Sequence, residues 1–130
     1  MENKIEIERL DQIKPKDLDR LARENAETFV RKDRLKTHQL RNVFSAIEKM
    51  RTQFKQKETY TDELEMELIL LKPKIAYAAG RQRSVRYHFF PFIESAIGAV
   101  ESSGNKEKAM KNFFALMESV VGYHKYFESA

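Results

Sequence analysis

The stretch Leu70–Arg86, LLKPKIAYAAGRQRSVR, holds the cations Lys72, Lys74, Arg81, Arg83 and Arg86 and no carboxylate. It opens apolar, crosses Pro73, runs small through Ala76, Ala78 and Ala79, and reaches Gly80. The pattern predicts a closely packed helix that ends at Gly80, because glycine just past a helix end takes positive φ without a Cβ clash. The chain would turn there and present a cationic corner. Such a corner can hold a carboxylate or a phosphate, and RNA phosphate is the leading ligand.

Other chemistry is poorly supplied. His38, His88 and His124 lie far apart, and no pair of ligands has the spacing of a metal motif. There is no Gly-rich phosphate loop, no dinucleotide fingerprint and no nucleophile elbow. The carboxylates read as solvated side chains. His124, between Tyr123 and Lys125, could serve as an acid–base group, though its position reads better as a helix flank. Tyr77, Tyr87 and Tyr123 stand next to basic residues and could stack on bases; packing at the rim of the core is the competing reading. The residues therefore predict no enzyme, no metal and no cofactor.

The charge is unevenly spread. Residues 1–35 carry nine charges of each sign. Residues 36–57 carry six cations and one carboxylate, residues 58–67 five carboxylates and no cation, and residues 68–86 five cations. Two basic segments thus flank an acidic one. On a shared face they would form an electrostatic footprint for a polyanion; otherwise they are two solvated helix faces.

These residues need helices to position them. A chain of 130 residues suffices for one core, so a single domain over 1–130 is expected. Four glycines and three prolines are too few for a turn-rich β protein. There is no cysteine, which fits a reducing compartment. The start, MENKIEIERL, does not read as a signal peptide, and no apolar run approaches a membrane span. A cytoplasmic protein is expected.

The spacing predicts an all-α fold, a compact bundle of about five helices. Residues 1–14 read as a loosely ordered arm or a poor first turn. Pro15 suits a first helical position, and a helix follows to about Lys32. The second runs from Thr37, a plausible cap, to Lys57. In it Leu40, Val43, Phe44, Ile47, Met50 and Phe54 make one apolar stripe. Arg41, Lys49 and Lys55 fall on the opposite side, over a length of about 30 Å, so they could follow a strand of phosphates. Thr61 or Thr59 caps a third helix through Leu64, Leu68, Leu71, Ile75 and Ala79. Pro73 should kink or break it. Ser84 can cap the fourth helix, which bends at Pro91, unless Val85–Phe90 is a separate turn and Pro91 opens the main helix. Ser102–Asn105 is a loop, and the last helix spans about 106–127.

Three blocks in order carry a family resemblance: Thr37–Ile47 (THQLRNVFSAI), Leu70–Arg81 (LLKPKIAYAAGR) and Phe113–Lys125 (FFALMESVVGYHK). Together they resemble the small subunit of the type III-A CRISPR–Cas effector, the Csm ribonucleoprotein complex. The middle block is the most specific; residues 1–35 add little. The resemblance implies a small, basic, all-helical subunit without catalytic activity. It implies copies stacked in a short filament, lining the groove where guide RNA and target RNA pair, in contact with the large polymerase-like subunit and beside the backbone subunit, in prokaryotic antiviral defence. Carried over residue by residue, it points to Lys36, Thr37, Arg41, Lys72, Lys74, Arg81 and Lys125 as RNA-binding. Charge and helix phase alone add Lys49, Lys55, Arg83 and Arg86. Each has a structural alternative: Arg81 could cap helix carbonyls, and Arg41 could pair with a carboxylate of a neighbouring helix. The alternative function is a helical interaction module whose basic corner docks an acidic protein. Pro73 could also act as a hinge for helix exchange in a dimer.

Overall fold

Apolar residues recurring at three- and four-residue spacing, interrupted at a few polar turns, dictate the architecture. The structure is a computed structural model and describes residues 8–129. After a 3-10 turn, Leu10–Gln12, come α1 (Pro15–Arg31), α2 (Thr37–Lys57), α3 (Asp62–Arg81), the one-turn α4 (Arg83–Arg86), α5 (Phe89–Glu101) and α6 (Lys106–Ser129). No strand occurs among the described residues, and no described helix is long and apolar enough to cross a membrane. α6 lies against α1, α5, α2 and the 3-10 turn, while α3 packs on α2, α4 and α5. The apolar stripes face one core, from Leu40, Val43, Ile47, Met50 and Phe54 of α2 to Phe113, Met117 and Val120 of α6, though Phe44 is only half-buried and Val121, expected on the inner side of the last helix, is exposed. Burying each such side chain contributes about 1.5–3 kcal/mol.

The helix ends follow local chemistry more closely than residue type suggested. Thr61 does cap α3, its hydroxyl accepting from the Leu64 N–H at 3.1 Å. Thr37 does not cap α2. It is the first helical residue, Lys36 is the cap, and the Gln39 side chain accepts from the Lys36 N–H at 2.9 Å. Thr37 is instead held from afar: its hydroxyl donates to Glu128 Oε1 at 2.5 Å. Nor does Ser84 cap a helix; its hydroxyl donates to Gln39 Oε1 at 3.0 Å.

α3 runs one residue past Gly80, and no glycine has positive φ among the described residues. The helix stops because Gln82 turns extended, with φ −131° and ψ 120°. The carbonyls left over are satisfied by an arginine: Arg86 donates from Nε to the Ala79 carbonyl and from Nη2 to that of Gly80, at 3.1 and 3.2 Å. α3 also continues through Pro73 as one helix. An interior proline costs about 3 kcal/mol, offset here by the buried stripe Leu64, Leu68, Leu71, Ile75 and Ala79. At Pro91 the separate-turn alternative holds in outline, but the turn covers Arg83–Arg86 in place of Val85–Phe90, and Phe89, not Pro91, opens the main helix. α4 ends at Arg86, and Pro91 sits in the first turn of α5, where its missing N–H is not needed. Its ring would press on the Tyr87 carbonyl, so the helix cannot extend back through that residue.

Of the expected N-terminal arm, residues 1–7 lie outside the described residues. Leu10 and Ile13 are buried, and Asp11 fastens the segment to the α5–α6 turn. Its N–H donates to Ser103 Oγ at 3.1 Å, and its carboxylate accepts from the Asn105 N–H at 2.9 Å and from Arg9 Nη2 at 2.9 Å. The Arg9 hydrogen bond and the Asn105 N–H hold the Asp11 carboxyl down at about 2, from 3.8. A carboxyl lowered on folding stabilises the fold above its unfolded pKa, and that stabilisation is lost as pH falls through the folded one. Urea titrations at stepped pH should therefore show wild type more stable than Asp11→Asn at neutral pH, with the gap closing between 3.8 and about 2. A gap independent of pH would mean that the ionised form is not what the cluster holds.

Candidate nucleic-acid interface

α2 begins where α3 and α6 end, and three side-chain contacts lock those termini together. Ser84, just after α3, reaches Gln39 of α2. Thr37 of α2 reaches Glu128 of α6. His88, at the α4–α5 junction, donates from Nδ1 to Asp33 of the α1–α2 turn at 2.8 Å. One end of the bundle thereby gathers Lys36 just before α2, Thr37 and Arg41 from α2, Arg81 from α3, Arg83 and Arg86 from α4, and Lys125 from α6.

Arg41 and Lys125 line one groove between α2 and α6, about 220 Å³ in volume, with Leu40, Phe44 and Val121 as its apolar wall. Both cations are exposed, and neither makes a side-chain hydrogen bond or ion pair among the described residues. Arg83 is likewise exposed, and unpaired among the described residues. The expected partner carboxylate for Arg41 is thus not found, and the capping role considered for Arg81 belongs to Arg86. Arg81 instead donates to the Tyr77 hydroxyl at 2.9 Å, its guanidinium 5.6 Å from the ring centroid. Arg86 lies 6.0 Å from the centroid of Tyr87. Tyr77 and Tyr87 are 68% and 52% exposed, so each offers an accessible ring backed by a cation. Tyr123 is half-buried. Its hydroxyl donates to Asp19 at 2.6 Å, and Arg23 covers its ring.

Four expected residues stand away from this end. Lys49 is exposed on α2 two turns beyond Arg41, about 12 Å along the axis, and Lys55 is farther still. Lys72 is half-buried on the inner flank of α3 and pairs with Glu101 at 3.6 Å. Lys74 lies on the outer face of α3, exposed and unpaired among the described residues.

Thr37 is committed to Glu128, whose carboxyl is held below the usual carboxylate range by the Thr37 hydroxyl and N–H, with His124 and Lys36 adding their charge. A phosphate at Thr37 would have to displace that carboxylate. His124 is not on a flank. It is buried at 2% exposure, and its Nε2 donates to the Leu35 carbonyl at 2.7 Å. That bond uses the ring to hold the α1–α2 turn, so the histidine is structural. The same turn carries Lys32 and Arg34, both exposed, which the charge map missed. Among the described residues no group of histidines and carboxylates could hold a metal ion.

Cations without carboxylate partners among the described residues, on helix ends beside exposed aromatic rings, can hold phosphates and stack bases without reading sequence. A protein-family model described as Csm2 Type III-A matches residues 12–130. No curated protein and no solved structure matches the chain.

Proposed function

The chain belongs to the Csm2 type III-A family, and from that premise we propose that it acts in the Csm effector as a non-catalytic, RNA-binding structural subunit. It lines the groove where guide and target RNA pair. It contacts the large polymerase-like subunit and the backbone subunit, and stacks with copies of itself in a short filament. It works in the prokaryotic cytoplasm, in antiviral defence. The observation supporting RNA contact is the basic end of the bundle: Arg41, Arg83 and Lys125 come from three different helices and none is neutralised by a carboxylate among the described residues. The guide supplies base pairing, so contacts to phosphate and ribose are all the subunit must add.

Two measurements test this reading. Purification from the native host should recover the large subunit, the backbone subunit and short RNAs of uniform length. Recovery with an acidic protein and no RNA would overturn it in favour of a protein-docking corner. Titration of the isolated chain with single-stranded RNA should give a slope of log K against log salt of about −3.5, for roughly five neutralised phosphates. A flat salt dependence would sink the phosphate assignment.

A further inference from the structure

Glu128 stands in the last turn of α6, where no cation accompanies it. A carboxylate there is opposed by the dipole of its own helix, so α6 gains nothing from the charge. The gain comes from α2. The first turn of α2 holds no acidic residue, and its cap, Lys36, has no side-chain oxygen to offer the free N–H groups. Glu128 supplies that oxygen from 91 residues away. Its Oε1 accepts from the Thr37 hydroxyl at 2.5 Å and its Oε2 from the Thr37 N–H at 3.3 Å. These bonds hold the carboxyl below the usual carboxylate range, so it is ionised at neutral pH.

A phosphate would use the same donors. Arg41 stands one turn farther along α2, and Lys125 lines the same groove from α6. Both are exposed, and each could hold another oxygen of the same strand. Two anions cannot share the Thr37 donors, because like charges a few ångströms apart repel. We propose that Glu128 is a built-in competitor for RNA: its carboxylate occupies the start of α2 in the free protein, and a backbone phosphate displaces it on binding.

A carboxylate carried on the same chain is present at high effective concentration. A single free anion, which gains little beyond Thr37, loses to it. A strand that also engages Arg41, Arg83 and Lys125 gains enough to win. The contact therefore sets a threshold that a polyanion passes and a lone phosphate does not. This competition deepens the RNA-binding reading above and rests on it.

Fluorescence anisotropy with one single-stranded RNA tests the competition on four full-length forms: wild type, Glu128→Gln, Thr37→Val and the double variant. Both substitutions keep the side chain's shape, and circular dichroism checks that helicity is unchanged. Glu128→Gln should tighten RNA binding about tenfold, the scale of one charge-assisted hydrogen bond. Removing any nearby negative charge also favours RNA, so the deciding quantity is the coupling to Thr37. In the Thr37→Val background the gain from Glu128→Gln should shrink to about threefold or less, because the hydroxyl over which the two anions compete is gone. A gain of equal size in both backgrounds would reveal general repulsion and overturn the competition. No gain from Glu128→Gln would overturn it too, with RNA binding left standing. Failure of wild type and Glu128→Gln alike to bind RNA would overturn the RNA-binding reading, and the competition with it.

Discussion

Changing Arg41, Arg83 and Lys125 together to glutamate should weaken binding of single-stranded RNA by about 100-fold or more at moderate salt. None of the three side chains pairs with a carboxylate among the described residues, so no internal contact is lost and the melting temperature should hold. Each would lose a charge-assisted phosphate contact of about 1–2 kcal/mol and add repulsion. Three such losses account for the stated factor. The log–log salt slope should become shallower by about 2, since each phosphate contributes about 0.7 for a single strand. The loss should be equal across RNA sequences, because phosphate contacts carry no base information. Lys72→Glu is the contrasting variant. Lys72 lies on the inner flank of α3 against Glu101, so its reversal should cost some stability and little affinity. Fluorescence anisotropy with two unrelated oligonucleotides checks both. Unchanged affinity in the triple variant, or a loss confined to one sequence, would remove phosphate binding from this end of the bundle.

How far the residues alone foretold this end of the bundle depends on which signal each carried. Helix phase was sufficient wherever packing decides: the stripes of α2, α3 and α6 face the core as their spacing requires. Phase also held two answers that residue type obscured. His124 sits four residues after Val120 and three before Phe127, on the buried line of α6. Lys72 sits four after Leu68 and three before Ile75, on the inner side of α3. Their chemistry marks both as charged or titratable groups, but their place on the helix assigns them inward. Caps were not legible in the same way. Thr37 has the right residue type, yet Glu128, 91 residues away, takes its hydroxyl. Gly80 could have ended α3 in a left-handed turn, but Arg86 reaches back and satisfies the carbonyls instead. Such choices depend on which distant side chains arrive, and local sequence does not contain that. Lys32 and Arg34 were hidden for a simpler reason: they close a segment, residues 1–35, whose charges cancel in sum.

Phe29→Ala should destabilise the fold by about 3–5 kcal/mol, the cost of a large cavity in a core that cannot collapse around it. Phe29 is fully buried. Its ring meets those of Phe89 and Phe92 edge to face, with centroids 5.3 and 5.6 Å apart, and Phe44 joins Phe89 at 6.1 Å. These rings join α1, α2 and the start of α5. The Phe29 carbonyl also accepts from the Leu35 N–H at 2.9 Å, so the same residue sets the course of the α1–α2 turn. Out of a total of roughly 5–15 kcal/mol for a domain of this kind, the loss leaves a marginal protein. Phe29→Leu keeps most of the volume and should cost about 1–2 kcal/mol. Equilibrium urea unfolding measures both. The pair also separates packing from binding. Phe29 cannot touch RNA, so Phe29→Leu should keep wild-type affinity under native conditions, and Phe29→Ala should lose apparent affinity only in proportion to its unfolded fraction. If Phe29→Leu stayed folded yet bound RNA much more weakly, the positions of Asp33, Lys36 and His88 would have to depend on the exact shape of the aromatic cluster. The basic end would then be a geometry tuned by the core, and more than a set of charges carried on independent helix ends.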